Sequence, residues 1–432
     1  MRFGALTPKL YEGHLELLMP YVDQSKKLGE ATFGLALSGG GYRASLFHLG
    51  ALRRLNEIGW LNKIDRITAV SGGSLLVGYL LSNCPEVFNR SKNISSNDWQ
   101  KLVSNPVHRF VQNDLRTIQT LKNFSINFFT RRAARLDHNI AKLEKLFQEK
   151  LLSEYSYDDK SQAWPEIFLL ATDLSYGQAF RFSNNPELGG SRALGFGDFS
   201  FSSLATACAA SASFPPIFGP YQLSKLLRHR SNSKDPEDFY KPYEKVFLAD
   251  GGLYDNLGMN LIALGSDEFV RLFSDAGNPF QSTSRGMNSS AVVFHYMKLM
   301  SSFIAKLNFQ RVKSIKKNSY AFWGCQFAND LAESSNIGYP KHLVDNYFEK
   351  VRTDLDFFDE HEAKLLENHG YAQTELALRR DFSGHYDVKK YPVAVWPYDD
   401  VQYTQSKSVK IILKRAQRGK YLSQFFRLGV KT

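Results

Sequence analysis

The stretch FGLALSGGGYRASLFHLGALRRLNEIGWLNKIDRITAVSGGSLLVGYL, residues 33–80, decides the fold. Phe33–Leu37 is a short apolar run that reads as a buried strand. Gly39, Gly40 and Gly41 break it with residues that turn freely because they lack a Cβ. A helix follows at once: Leu46, Leu49, Leu52, Leu55 and Ile58 recur at near-helical spacing, with Arg53, Arg54 and Glu57 expected to face outward. A glycine loop entering a helix aims backbone N–H groups, and the positive end of the helix dipole, at one point. That point suits an anion.

The pattern of strand, sharp turn and helix then repeats. Ile67 to Val70 is strand-like, Ser71-Gly72-Gly73 is the turn, and Ser74 to Leu81 is apolar enough for a buried helix. A serine on such a turn projects its Oγ above the sheet edge, and small neighbours let backbone approach it closely. Ser71 is therefore the candidate nucleophile; Ser74 competes for the role but has no glycine two positions on. A nucleotide phosphate cradle is disfavoured at Gly39–Gly41, since no Gly-Lys-Ser/Thr follows and the dinucleotide spacing is absent. Far downstream, VFLADGG runs a strand into Asp250. An aspartate ending a buried strand can point across the sheet edge toward Ser71, although Asp-Gly is also a common turn pair. His48, His295 and His342 have no spacing that recommends them for a triad.

Together these residues resemble a known family. SGGGYR at 38–43 looks like the oxyanion loop of patatin-like phospholipases, AVSGG at 69–73 is similar to their nucleophile elbow, and ADGGLYDNLG at 249–258 resembles their Asp-Gly-Gly/Ala segment. One departure stands out: Ala69 occupies the place of the elbow's usual first glycine, beside Gly72 and Gly73. The resemblance implies an α/β fold of three layers, with a central, mostly parallel sheet flanked by helices, helical insertions and a C-terminal extension. It implies a dyad of Ser71 and Asp250 without histidine, and an oxyanion hole from the N–H groups of Gly39, Gly40 and Gly41. Arg43 would lend charge to that loop or bind a lipid phosphate, or else fix the loop through an ion pair. The implied reaction is acyl hydrolysis of glycerophospholipid esters, with no cofactor and no metal. A soluble-substrate esterase or thioesterase is the alternative within enzymes. By analogy with some bacterial members, an effector activated by a second messenger such as a cyclic nucleotide, sensed in the C-terminal half, is another.

The resemblance covers about residues 30–275, so the expected organisation is a lead helix at 1–30, a catalytic domain at 31–275 and a C-terminal helical extension at 276–432. Within the catalytic domain, 95–152 reads as a helical cap and 221–244 as a charged surface loop. In the cap, Phe124, Phe128 and Phe129 beside Arg131, Arg132 and Arg135 suit a lipid interface, whereas Leu136, Ile140, Leu143 and Phe147 suit packing on the core. Asp173 reads as a turn cap, and the small residues at 204–213 as a packing segment. Beyond Gly258 a strand is expected near Phe269 to Ser274, then a helix over 291–318 whose Met and Phe stripe reads as core. Another strand follows at YAFWGCQF, and then a helix within 351–378 closed by Gly370.

Bulk properties bound the rest. With 432 residues, 43% of them hydrophobic, the chain can bury one large core or two smaller ones. It has no run of eighteen apolar residues, and Pro8, Glu12 and Glu16 interrupt any signal-like start, so a cytoplasmic location with peripheral membrane association is expected. Cys84, Cys208 and Cys325 are too scattered for a disulfide framework or zinc site. A net charge of +11 favours an anionic membrane surface or nucleic acid as partner, or serves only solubility. The tail from Ser408 to Thr432 mixes Lys and Arg with Ile, Leu and Phe and has no acid, which makes it the membrane-surface candidate, with RNA a more distant choice.

Overall fold

The computed structural model describes residues 33–115, 137–153, 165–185, 188–191, 194–196, 203–215, 218–223, 245–263, 269–278, 289–328, 330–332, 335–382, 388–401 and 406–417. The expected lead helix, the aromatic and basic run from Phe124 to Arg135, most of the 221–244 loop and the last fifteen residues of the tail lie outside them.

β1 (Phe33–Leu37) leads into α1 (Gly41–Glu57), and β2 (Arg66–Val70) leads into α2 (Gly72–Asn83). After α3 (Asp137–Lys150) come β3 (Glu166–Asp173), β4 (Gln178–Ser183), β5 (Gly190–Ser191) and β6 (Gly195–Phe196). Then follow α4 (Leu204–Ser211), β7 (Tyr221–Leu223), β8 (Val246–Asp250) and β9 (Val270–Asp275). Next are α5 (Ser289–Ser314), β10 (Tyr320–Gly324), α6 (Glu360–Asp381) and α7 (Ser406–Ala416).

The strands among the described residues join one sheet, ordered β10-β9-β1-β2-β3-β4-β5-β6, with β8 on β3 and β7 on β8. The run from β10 to β3 is parallel, while β4 to β8 pair antiparallel. Parallel neighbours need crossover connections, and the helices that supply them cover both faces, so the central strands are apolar almost throughout. Side chains alternate across the sheet accordingly. Leu35, Leu37, Leu272, Ala321 and Trp323 join the core under α1, α2 and α6. Ala36, Phe273 and Phe322 face the other way, onto Leu257, Met259, Ile262 and Val312 of α5 and the segment before β9. The α/β architecture is that of a mixed, mostly parallel sheet between helices, with further helices inserted and at the C-terminal end.

Three expectations are corrected. Arg53 and Arg54 do not face outward: α6 lies across α1 and buries them, Arg54 Nε donating to Glu375 Oε2 at 2.7 Å and Arg53 Nη1 to Glu367 Oε1 at 3.2 Å. Gly370 does not close its helix, because α6 continues to Asp381. It is the crossing point instead. A Cβ at Gly370 would stand 1.8 Å from the Phe47 carbonyl oxygen, and one at Gly50 would stand 1.9 Å from that of Glu367, so only glycine lets the two backbones touch. The third correction concerns α5, whose apolar stripe lies on the surface: Met300, Phe303 and Leu307 are exposed, and Asn308, Phe309 and Val312 turn inward instead.

Other elements sit as the sequence suggests. Ile140, Leu143 and Phe147 of α3 are buried, and Asp173 Oδ1 accepts the N–H groups of Ser175 and Tyr176 in a turn. The three cysteines are buried free thiols. The first part of the basic tail forms α7, with Val409, Leu413 and Ala416 in the core. Among the described residues no helix is long and apolar enough to cross a membrane.

Candidate active site

Ser71 stands between β2 and α2 with φ 49° and ψ −115°, a conformation that costs a non-glycine residue roughly 1–3 kcal/mol. That strain is what turns the chain sharply from strand to helix and leaves the side chain reachable at the sheet's edge, 8% exposed in an otherwise closed region. Ala69, in β2, is fully buried between its partners Leu37 and Leu169, so its methyl group is absorbed by the core. Ser74 is directed elsewhere: it is fully buried and its hydroxyl pairs with that of Ser211 at 2.9 Å.

The glycine loop sits against this elbow. Gly40 and Gly41 both have positive φ, 145° and 56°, which starts α1 immediately after the turn. The Gly41 carbonyl lies so close over Gly72 that a Cβ there would be 1.9 Å from its oxygen, and a Cβ at Gly39 would be 3.2 Å from that of Ser71. The N–H of Gly39 donates to the Asn256 carbonyl at 2.9 Å, whereas those of Gly40 and Gly41 have no partner among the described residues. Arg43 is wholly buried. Its guanidinium donates to the carbonyls of Ala276, at 2.6 Å, and Val351, at 2.8 Å, which pins the start of α1 to the segments after β9 and before α6.

Asp250 ends β8 beside Ser71. Its carboxylate accepts the Gly252 N–H at 2.7 Å and lies close enough to the Ser71 hydroxyl to feel it electrostatically. Burial raises its pKa from the usual carboxylate value to about 6, although the Gly252 N–H and the nearby Ser71 hydroxyl pull the other way. His48 is neutral in the core: burial lowers its pKa to about 4, and its ring bridges Ser274 Oγ and the Ser38 carbonyl. Among the described residues no group of three or more His, Cys, Asp or Glu side chains could hold a metal ion.

Reading the sequence missed three supporting residues. Ser211, at the end of α4, accepts the Ser71 N–H at 2.9 Å and donates to the Leu170 carbonyl at 2.6 Å. Two residues on, the Ser213 carbonyl accepts the Asp250 N–H at 3.1 Å. The small-residue segment thus packs, as expected, and also ties down both members of the pair; its serines were the available signal. Asn256 lies within the quoted ADGGLYDNLG motif, and its side chain fills the space that a Cβ at Gly39 or Gly252 would need.

The arrangement sets an elbow serine beside a buried carboxylate, with two N–H groups that have no partner among the described residues at a helix N-terminus nearby. Residues 35–262 match the family model described as patatin-like phospholipase. No curated protein matches the chain. Among solved structures it is similar to VipD from Legionella pneumophila, with 12% identity, TM-score 0.35, and 93% of this chain and 81% of that one covered. It is also similar to human GIVD cytosolic phospholipase A2, with 12% identity and TM-score 0.36. That alignment covers 92% of this chain but 63% of the human one.

Proposed function

The chain belongs to the patatin-like phospholipase family and is a serine hydrolase of that kind; we propose that it cleaves glycerophospholipid esters through Ser71 and Asp250. Ser71 Oγ attacks the ester carbonyl carbon while Asp250 takes its proton. The resulting tetrahedral oxyanion is held by the N–H groups of Gly40 and Gly41, where the α1 dipole adds positive potential. Collapse expels the alcohol, which takes the proton back, and leaves an acyl group on Ser71. Water then attacks that ester with Asp250 again as base, and the C–Oγ bond breaks as Asp250 returns the proton to Ser71 Oγ, releasing a fatty acid.

The observation that carries this reading is the juxtaposition of a strained elbow serine with a buried carboxylate at the ends of β2 and β8, where burial lifts the carboxylate's pKa to about 6. An ordinary carboxylate is too weak a base for a serine; one lifted toward neutrality is better matched while remaining ionised at pH 7. Gly39 and Arg43 have a supporting part in this scheme, since the N–H of the first and the guanidinium of the second are already engaged.

The test is covalent. A fluorophosphonate should add one phosphonyl group to the intact chain, located by peptide mass at Ser71, and Ser71→Ala should take none. Labelling of another serine, or of neither protein, would sink the assignment.

A further inference from the structure

α5 has two faces of different character. Asn308, Phe309 and Val312 turn inward, and Asn308 Nδ2 donates to Asp255 Oδ1 at 3.0 Å, five residues beyond Asp250. On the opposite side Tyr296, Leu299, Met300, Phe303 and Leu307 recur at helical spacing, each 44–63% exposed. At 1.5 Å per residue this apolar stripe runs for about 17 Å. Lys306 and Lys313 flank it on one side, both exposed, and Arg311, whose Nη1 donates to Asn260 Oδ1 at 2.9 Å, lies on the other. From Ser289 to Asn318 the sequence has six basic residues and no acidic one.

We propose that this face of α5 docks the enzyme on an anionic phospholipid bilayer. The docking rests on the lipid-ester reading of the site and adds how the substrate is approached. Aromatic and aliphatic side chains flanked by cations, without acids, are what a helix lying in a lipid interface requires. A second protein surface would have to cover the same stripe while matching the cations beside it and finding no acid on the helix. The hydrogen bond to Asp255 ties the docking helix to the segment that bears the carboxylate, so the bilayer meets the enzyme on the element joined to its site. The expected basic tail is less suited to this task along 406–416, because Val409, Leu413 and Ala416 are spent in the core.

The full chain carrying Ser71→Ala, which cannot consume the vesicles, is sedimented with phosphatidylcholine vesicles that contain or lack about 30% phosphatidylglycerol. Strong binding to the anionic vesicles is expected, and adding Met300→Glu and Phe303→Glu should weaken it about tenfold or more. The same two substitutions in the unaltered chain should leave hydrolysis of a short soluble ester unchanged. As a second measurement, tryptophan at Leu299→Trp should be quenched by brominated acyl chains. Unchanged binding of the double variant together with an unquenched tryptophan overturns the proposal. Dissociation of a dimer by the double variant, with vesicle binding intact, overturns it in favour of a second copy on this face. Vesicle binding through α5 without fatty acid release by the unaltered chain leaves docking standing and removes the phospholipase reading instead.

Discussion

Ser71 and Asp250 meet because β2 and β8 end head to head along the same edge of β3. Val70 pairs with Leu170 in the parallel ladder, and Asp250 pairs with Ala171, the next residue, in the antiparallel one. β4 occupies the other edge over the same residues, so β8 can only continue the line that β2 leaves. Two chain segments far apart in sequence are thereby brought to one point by backbone hydrogen bonds, and Thr172 Oγ1 seals the join by donating to the Asp250 carbonyl at 2.8 Å.

Burial raises the Asp250 pKa to about 6, and the carboxylate must be ionised to act as base, so activity should rise with pH through that region. kcat/KM on a soluble ester, measured from pH 4.5 to 8, is expected to show an acid limb near 6. A limb near 4 would mean an ordinary, solvated carboxylate.

The same shift bears on stability. With a folded pKa of about 6 against an ordinary value of 3.8, Asp250 favours the fold when protonated, and that contribution fades as pH rises through 6. Relative to wild type, Asp250→Asn should therefore gain stability between pH 4 and 6, reaching about 1–3 kcal/mol above that range. Urea unfolding at pH 4 and pH 7.5 checks the sign; a loss of relative stability on going up in pH would contradict it.

Ser211→Ala removes the acceptor for the Ser71 N–H and leaves that buried group unpaired. The expected result is a loss of about 1–3 kcal/mol in stability and a fall in kcat larger than any change in KM, because the strained elbow relaxes. Rescue by Ser211→Thr, which restores the hydroxyl, would separate the lost hydrogen bond from general damage.

Glu367, on α6, is buried with four groups on its carboxylate: Arg53, Ser104, His108 and Tyr398. Glu367→Ala leaves the buried Arg53 guanidinium with only the longer Glu57 pair at 3.7 Å, and strips the acceptor from Ser104, His108 and Tyr398, so it should destabilise the chain by about 3–5 kcal/mol in urea titrations. A change below about 1 kcal/mol, the scale of a surface pair, would show that the network contributes little.

What the sequence made legible was local. The run from β1 to α2 could be read because strand, glycine turn and helix follow one another within fifty residues, each with its own periodicity. The partnership of Ser71 with Asp250 could be expected only through a family resemblance, since the pairing of β8 with β3 leaves no mark in either segment. Gly370 was misread for a physical reason: a glycine that ends a helix and one that admits a second helix look alike until the crossing with α1 is seen. The stripe on α5 has the same spacing whether it faces a core or a membrane, and only its exposure distinguishes the two. Ser211 was hidden in a run of small residues that also packs, where Gly78 leaves just enough room for Cys208.

The most direct test is fatty acid release from mixed anionic vesicles by the full chain, beside Ser71→Ala and Asp250→Asn. Release by the unaltered chain and its loss in both variants is the expected result, with a fall of several powers of ten for each because the two groups act as one unit. Release that survives Ser71→Ala would contradict the account at its centre.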